Sequence, residues 1–392
     1  MTPYRLFVSC APGLEPWLAD ELRGLGALDV KAARGGVEAR GHRRVIYRLN
    51  LESGLGTHVL VRVGRAGGTR FDDLEASFGE IAWEDVLRPG VPRSAVVNVR
   101  KSRLQHTGAI AERLLRAIAR RLGDGLTGAD ASGVPVHVRM FRDAATVSVD
   151  SSGEPLHRRG YRVTTVAAPL REDLARALVI ASGWDRASPL IDPFAGSGTI
   201  PIEAAALARG LAPGRLRGFA FERMALCDPP SWQAVKEAAR ENVKPAVGAT
   251  ILAGDRDPDA IEAVRANAER AGVENDVTRV MAPVSELPLD GLEGAALVTH
   301  PPFGHRQSAG VDPRPVYQAL GRRARELGDG APLALMCLDR RLALSVDGSL
   351  RTAFLTDAGG LKVRAMVRGS ATGGPMVDGE PEKSVAGEID PD

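Results

Sequence analysis

The chain has 392 residues, 44% hydrophobic and 26% charged, with a formal net charge of +2. That length fits two to three domains rather than one ordinary core, and the balance excludes a fibrous, collagenous or wholly disordered protein. No stretch approaches the roughly 18 uncharged apolar residues of a membrane span, and the opening MTPYRLFVSCAPG lacks a signal-peptide layout, so the cytoplasm is the expected compartment.

In chain order, Tyr4 to Cys10 reads as a strand, followed by Leu14, Trp17, Leu18, Leu22 and Leu25 at helical spacing. A helix is expected around His42 to Asn50, a strand in THVLVRVGR, a helix near Asp72 to Phe78, and a strand in SAVVNVRK, where Val96, Val97 and Val99 favour extended backbone. Helix 108–122 gathers Ile110, Leu114, Leu115, Ile118 and Leu122 on one face. Arg113, Arg116, Arg120 and Arg121 lie largely on the others, and the reading leaves them available to a partner. PVHVRMF and ATVSVDSS, separated by Arg142 and Asp143, read as a hairpin. Residues 1–150 thus form an N-terminal α+β region. Residues 1–170 carry 25 Lys/Arg against 18 Asp/Glu, an excess that suits either a polyanion or an ordinary solvated surface.

Residues 151–169 contain SGEPLHRRGYRVTTVAAPL without its last residue; here Gly, Pro and the cluster Arg158, Arg159 and Arg162 interrupt the periodicity, as a connector does. From 170 to 369 helices alternate with apolar strands, the pattern of an α/β domain with a mainly parallel sheet. Strands are expected at Pro189 to Asp192, Thr250 to Gly254, Val277 to Met281, Ala295 to Thr299 and Pro332 to Leu338. Residues 370–392 are poor in apolar side chains and net acidic, and read as a disordered tail.

The strongest local signal is PLIDPFAGSGTIPIEAA, in which a strand ends at Asp192 and a helix begins near Thr199. Such a turn lets a ligand approach the backbone and the helix N-terminal amides. GSGTIP has no third glycine, which weighs against a nicotinamide dinucleotide. Further on, Asp255 ends the next expected strand, where a carboxylate can accept both ribose hydroxyls of a nucleoside; capping of the following helix is the alternative, and is the reading preferred for Asp257. ALVTHPPFGHR ends a third strand in His300, Pro301, Pro302 and Phe303. The prolines restrict the backbone so that carbonyls can be held toward a substrate, and Phe303 offers a face for a base or, alternatively, a core contact. His300 and His305 lack a completing ligand, so no metal is expected. Cys10, Cys227 and Cys337 are widely separated, which gives neither a disulfide framework nor a zinc knuckle. Ser197 has no assignable His/Asp partners for nucleophilic catalysis.

FVSCAPGLEPWLADELRGLGA, GGVEARG, YRLNLESGL, SGEPLHRRGYR, AAPLRED, DPFAGSGTIPIEAA and GDRDPDAIEAVRANAERAGV together resemble the bacterial THUMP-domain class I RNA methyltransferases, the RlmL/YpsC-like group that modifies the exocyclic N2 amine of guanine in 23S ribosomal RNA. The resemblance implies an α/β chain with an N-terminal ferredoxin-like and THUMP region followed by a Rossmann-like methyltransferase domain. It implies S-adenosylmethionine held by Asp192, Phe194, Gly196, Ser197, Gly198, Thr199 and Asp255, and RNA met in part by Arg158, Arg159 and Arg162. Equally, Arg158 and Arg159 could pair with carboxylates at the domain junction. His300, Pro301, Pro302 and Phe303 align with the family's Asn-Pro-Pro-Tyr/Phe turn, whose first residue accepts a hydrogen bond from the target amine.

Two departures stand out. His300 replaces the amide, and a neutral imidazole accepts only in one tautomer and not at all when protonated. This leaves open a working variant, a changed specificity toward another base amine, or a catalytically impaired RNA-binding protein. Ala282, Pro283 and Val284 occupy positions where related domains often have an acidic contact to adenine, leaving Ser285 or Glu286 to serve.

Overall fold

The computed structural model describes residues 2–123, 133–166, 169–302 and 312–369. The expected tail at 370–392 and Phe303 lie outside the described residues.

The chain opens as β1 (Tyr4–Cys10), α1 (Glu15–Gly24), β2 (Leu28–Ala33), β3 (Gly36–Gly41), α2 (Arg43–Glu52) and β4 (Gly56–Gly67). These four strands take the antiparallel order β2-β3-β1-β4, a ferredoxin-like βαββαβ unit. Next come α3 (Phe71–Gly79), β5 (Arg93–Arg100), α4 (Thr107–Leu122), β6 (Val134–Phe141) and β7 (Ala144–Asp150), which extend the same sheet as β4-β7-β6-β5. The expected hairpin is present between β6 and β7, with Arg142 and Asp143 both at positive φ (50° and 62°), as a two-residue turn between twisted strands requires.

Leu6, Val8, Val59, Val61, Val136, Val138, Val147 and Val149 are buried. The pairings Leu6–Val61, Val61–Val149, Val136–Val149 and Val138–Val147 put neighbouring members of this set on one face. That apolar face is the core side of the sheet; the alternate residues form a more polar side, exposed at Arg5, Arg65 and Arg139 and buried at Ser148 and Asp150.

The second unit runs α5 (Glu172–Ala181), β8 (Leu190–Asp192), α6 (Thr199–Arg209), α7 (Pro229–Glu241), β9 (Ile251–Asp255), α8 (Pro258–Ala271), β10 (Val277–Met281), β11 (Ala296–Thr299), α9 (Arg314–Glu326), β12 (Leu333–Cys337), α10 (Arg340–Val346), β13 (Arg351–Ala358) and β14 (Leu361–Val367). The five expected strands are all present, within a residue or so at each end. Their order is β10-β9-β8-β11-β12-β14-β13, parallel except for β14, which runs antiparallel to both neighbours. The chain winds outward from β8 through β9 to β10, then returns to place β11 on the other side of β8. In such a sheet, ligands bind outside the carboxyl ends of the strands at that reversal.

The two units share a packed junction. Tyr47 of α2 stacks on Phe221 at 4.8 Å between ring centroids, and its hydroxyl accepts from the Asp228 amide at 2.8 Å. Arg159, only 2% exposed, donates to the Leu156 and Gly54 carbonyls and lies 3.4 Å from Glu203. Among the described residues no helix is long and apolar enough to cross a membrane.

Candidate functional site

The carboxyl ends of β8, β9 and β11 lie side by side, with Ile191 opposite Leu252 on one flank and Leu297 on the other. Each of the three sequence features named above therefore opens from an adjacent strand.

From β8, Asp192 leads into a loop in which Gly196 and Gly198 take positive φ (51° and 84°), backbone that a side chain would strain. A Cβ on Gly198 would also sit 3.2 Å from both Val264 methyls, so glycine lets α8 pack close beneath the turn. From β9, Asp255 reaches the same loop: its Oδ2 accepts from the Gly196 amide at 3.0 Å, and its Oδ1 from the Asp257 amide at 3.1 Å. Asp257 caps α8, accepting from the Asp259 amide at 3.0 Å, as the sequence reading preferred. From β11, the Thr299 hydroxyl donates to Asp192 Oδ1 at 2.6 Å, which places His300, Pro301 and Pro302 directly beyond the glycine-loop strand.

The electrostatics follow from burial. Asp192 is 1% exposed, and desolvation pushes its carboxyl up to about 7. The neighbouring Asp255 charge adds to this rise, whereas the donors Thr299 and the Phe194 amide oppose it. A desolvated carboxyl with this few donors is well suited to a cationic ligand group. Burial pushes the His300 imidazole down to about 4. It is therefore neutral near pH 7 and keeps the one acceptor nitrogen that protonation would remove.

The loop is clamped by residues whose part in the site the sequence reading missed. Arg162, expected on RNA, donates instead to the Ser197 hydroxyl, the Thr199 hydroxyl and the Leu170 carbonyl at 3.0, 3.0 and 2.8 Å, and pairs with Glu172 at 2.9 Å. Ser197 and Thr199 are buried, with their hydroxyls turned to that guanidinium. Asn267 on α8 accepts from the Val163 and Thr164 amides and donates to the Thr164 and Ser197 carbonyls, all at 2.8 to 3.0 Å. Its signal was legible: Ala260, Ala263, Val264, Asn267, Ala268 and Ala271 form one buried stripe, and the lone polar member of such a stripe requires partners.

Of the three connector arginines, Arg159 is sealed in the junction and Arg162 is committed to the loop. Arg159 thus takes the junction pairing that the sequence left open, because a buried guanidinium must be satisfied by protein, and the part-buried Arg162 spends its donors within the protein rather than on a partner. Arg158 is 68% exposed and pairs with Glu154. Phe194 is half-buried at the head of the loop. Ser285 and Glu286 are exposed in a short 3₁₀ turn after β10, where the Ala282 amide donates to the Asp255 carbonyl. That turn lies beside Asp255. Among the described residues no group of His, Cys, Asp or Glu could hold a metal ion.

Comparison with known proteins agrees with this fold. Residues 159–347 match the family described as RMKL-like, methyltransferase domain, and residues 5–60 match the RlmL ferredoxin-like domain. The chain is 32% identical over 87% of its length to ribosomal RNA large subunit methyltransferase K/L of Syntrophotalea carbinolica, and 34% identical over 85% to the protein of the same name in Chromohalobacter salexigens. It spans about half the length of these two relatives (50% and 48%). Among solved structures, SMU.472, described as a methyltransferase and solved in complex with SAH, is 25% identical with a TM-score of 0.83. That comparison covers 94% of this chain and 99% of the other. A protein from Listeria monocytogenes described as a predicted N6-adenine-specific DNA methylase is 27% identical with a TM-score of 0.80, covering 93% and 96%.

Proposed function

Since this chain belongs to the family of RMKL-like methyltransferase domains, with an RlmL ferredoxin-like domain ahead of the catalytic unit, we propose that it is a cytoplasmic S-adenosylmethionine-dependent RNA methyltransferase acting on the N2 amine of a guanine in 23S ribosomal RNA. The observation that carries the reading is the pair of contacts Asp255–Gly196 and Asp192–Thr299. They draw the glycine loop, Asp255 and the His300 turn together at the strand ends.

The residues fit the cofactor. Asp192 offers a desolvated carboxyl for an ammonium group, Gly196 and Gly198 a close backbone approach, Asp255 an acceptor for ribose hydroxyls, and Ser285 or Glu286 a polar contact for adenine. When bound, S-adenosylmethionine supplies an electrophilic methyl on a sulfonium, so neither a metal nor a covalent nucleophile is needed. What the protein contributes is placement, which can be worth about 7 to 11 kcal/mol of a bimolecular barrier. Neutral His300 and the Pro301 carbonyl accept from the target amine, drawing out lone-pair character that the guanine ring otherwise delocalises. Phe303 gives the base a stacking face. We assign residues 1–150 to holding RNA, 151–169 to the connector and 170–369 to transfer.

The test is methyl transfer from labelled S-adenosylmethionine to unmodified ribosomal RNA, with mass spectrometry of the product nucleosides. N2-methylguanosine is expected. S-adenosylhomocysteine binding without transfer would replace the enzyme with a non-catalytic RNA-binding protein, and a methylated adenosine would move the specificity to another exocyclic amine.

A further inference from the structure

By sequence the arginines of α4 are left available to a partner. In the structure Arg113, Arg116 and Arg120 converge on the carboxylate of Glu75, at 3.8, 3.4 and 2.7 Å, so much of that charge is spent within the protein.

The more polar side of the N-terminal sheet is different. The pairings Arg40–Arg5 and Arg5–Arg62 set three arginines side by side across β3, β1 and β4. Like charges directly opposite one another in a sheet are destabilising, and nearby carboxylates answer only part of this row: Asp29 lies 3.4 Å from Arg40, and Glu38 lies 3.0 Å from Arg62. One row further along, Arg65 pairs across Thr146 with Arg139, and Arg139 lies beside Asn98 on β5. Arg5, Arg65, Arg139 and Arg100 are exposed.

Aromatic rings are interleaved with this charge. Phe7 lies between Glu38 and Leu60 with the Arg62 guanidinium 5.4 Å from its ring centroid. Phe141, opposite Arg100, is 45% exposed, and Arg142 lies 5.2 Å over its ring. Phe141 thus presents a partly exposed ring beside the arginine row.

We infer that this sheet face, running from the Arg40–Arg5–Arg62 row to Phe141, binds a single-stranded segment of the RNA substrate, its phosphates lying along the arginine rows and its bases stacking on Phe141 and Phe7. Cationic rows with aromatic platforms suit an unpaired strand, whose bases expose their faces, whereas a duplex keeps its bases stacked inside. The inference rests on the proposed action on RNA and adds the surface and the form of the substrate.

The experiment measures binding of the full chain to a fluorescent single-stranded RNA of about a dozen nucleotides, to a duplex RNA of equal length and to polyglutamate. The variants are Arg139→Glu, Phe141→Ala and, as a control on the helix side, Arg120→Glu. Thermal melting checks that each variant folds.

Arg139→Glu is expected to weaken single-strand binding at least tenfold and to flatten its salt dependence by about 0.7 in the log–log slope or more. Phe141→Ala is expected to weaken single-strand binding about tenfold while changing duplex binding less than twofold, and Arg120→Glu to leave both within twofold. Equal affinity of wild type and both sheet-face variants would overturn the assignment of this face while leaving the methyltransferase reading intact. Competition by polyglutamate as effective as by RNA would assign the face to an acidic protein instead. A wild-type chain that binds no RNA would overturn both readings.

Discussion

The Thr299 hydroxyl lies 2.6 Å from Oδ1 of Asp192, joining the strand that ends in the proline turn to the strand that opens the glycine loop. Through this one contact, whatever binds the loop is coupled to the turn where the substrate amine would sit.

The Asp192 carboxyl is raised from 3.8 to about 7 in the folded chain, chiefly by burial. A raised pKa means that the folded state holds the proton more tightly than the unfolded state. Its contribution to the stability of the ligand-free protein is therefore complete below about 3.8 and lost as pH rises through about 7. A cationic ligand group requires the deprotonated form. Calorimetry should show the Kd for S-adenosylhomocysteine rising as pH falls below about 7, by up to tenfold per unit. Asp192→Asn should bind weakly with no such dependence.

Thr299→Val keeps the shape of the β11 terminus and removes the donor to Asp192. The carboxyl loses a contact that opposes its upward shift, so the midpoint of that binding profile should move to higher pH. Stability should fall by about 0.5 to 1.5 kcal/mol in denaturant titrations. An unchanged midpoint would mean that the hydrogen bond does not tune the site.

His300, held down to about 4, is neutral across physiological pH, so the transfer rate should show no imidazole titration above about pH 5. His300→Ala should reduce transfer on the order of a hundred- to thousand-fold, with S-adenosylhomocysteine affinity held within about twofold. His300→Asn, which restores an amide acceptor, should recover most of that loss. Parallel loss of rate and cofactor affinity in His300→Ala would refute the acceptor role.

Arg162→Ala removes four contacts, two that hold the connector to the glycine loop at Ser197 and Thr199 and two to Leu170 and Glu172 at the start of α5. Hydrogen bonds to a charged group are worth about 1.5 to 3 kcal/mol each, so the Kd for S-adenosylhomocysteine should rise at least tenfold while affinity for single-stranded RNA stays unchanged. Arg158→Ala, which loses only an exposed pair with Glu154, should leave cofactor affinity and stability near wild type. The reverse pattern would return Arg162 to the RNA surface.

Much of the second unit was readable from order and periodicity. Strands buried on both faces read as apolar runs, and β8, β9 and β11 end in Asp192, Asp255 and Thr299, polar residues that mark where packing gives way to the loops. The N-terminal hairpin was readable for a similar reason, since Arg142 and Asp143 interrupt two alternating runs. β2 and β3 were not recognised, because the exposed edge strand β2 has no apolar alternation to detect. The β13–β14 hairpin was also passed over. It is placed by pairing with β12, a contact distant in sequence.

The amino-acid sequence by itself determined the two-unit plan, the glycine turn, Asp255 and the altered His300 turn, because each depends on local backbone geometry or on spacing along one element. Only the tertiary structure decided what the arginines do. Arg158, Arg159 and Arg162 are near-neighbours in the chain, yet one is exposed, one is sealed beside Glu203 and one clamps the loop. The charge of Arg5, Arg40 and Arg62 forms a row only because strand pairing brings together residues far apart in sequence. A guanidinium's role is set by the dielectric and the partners around it, and both are created by folding.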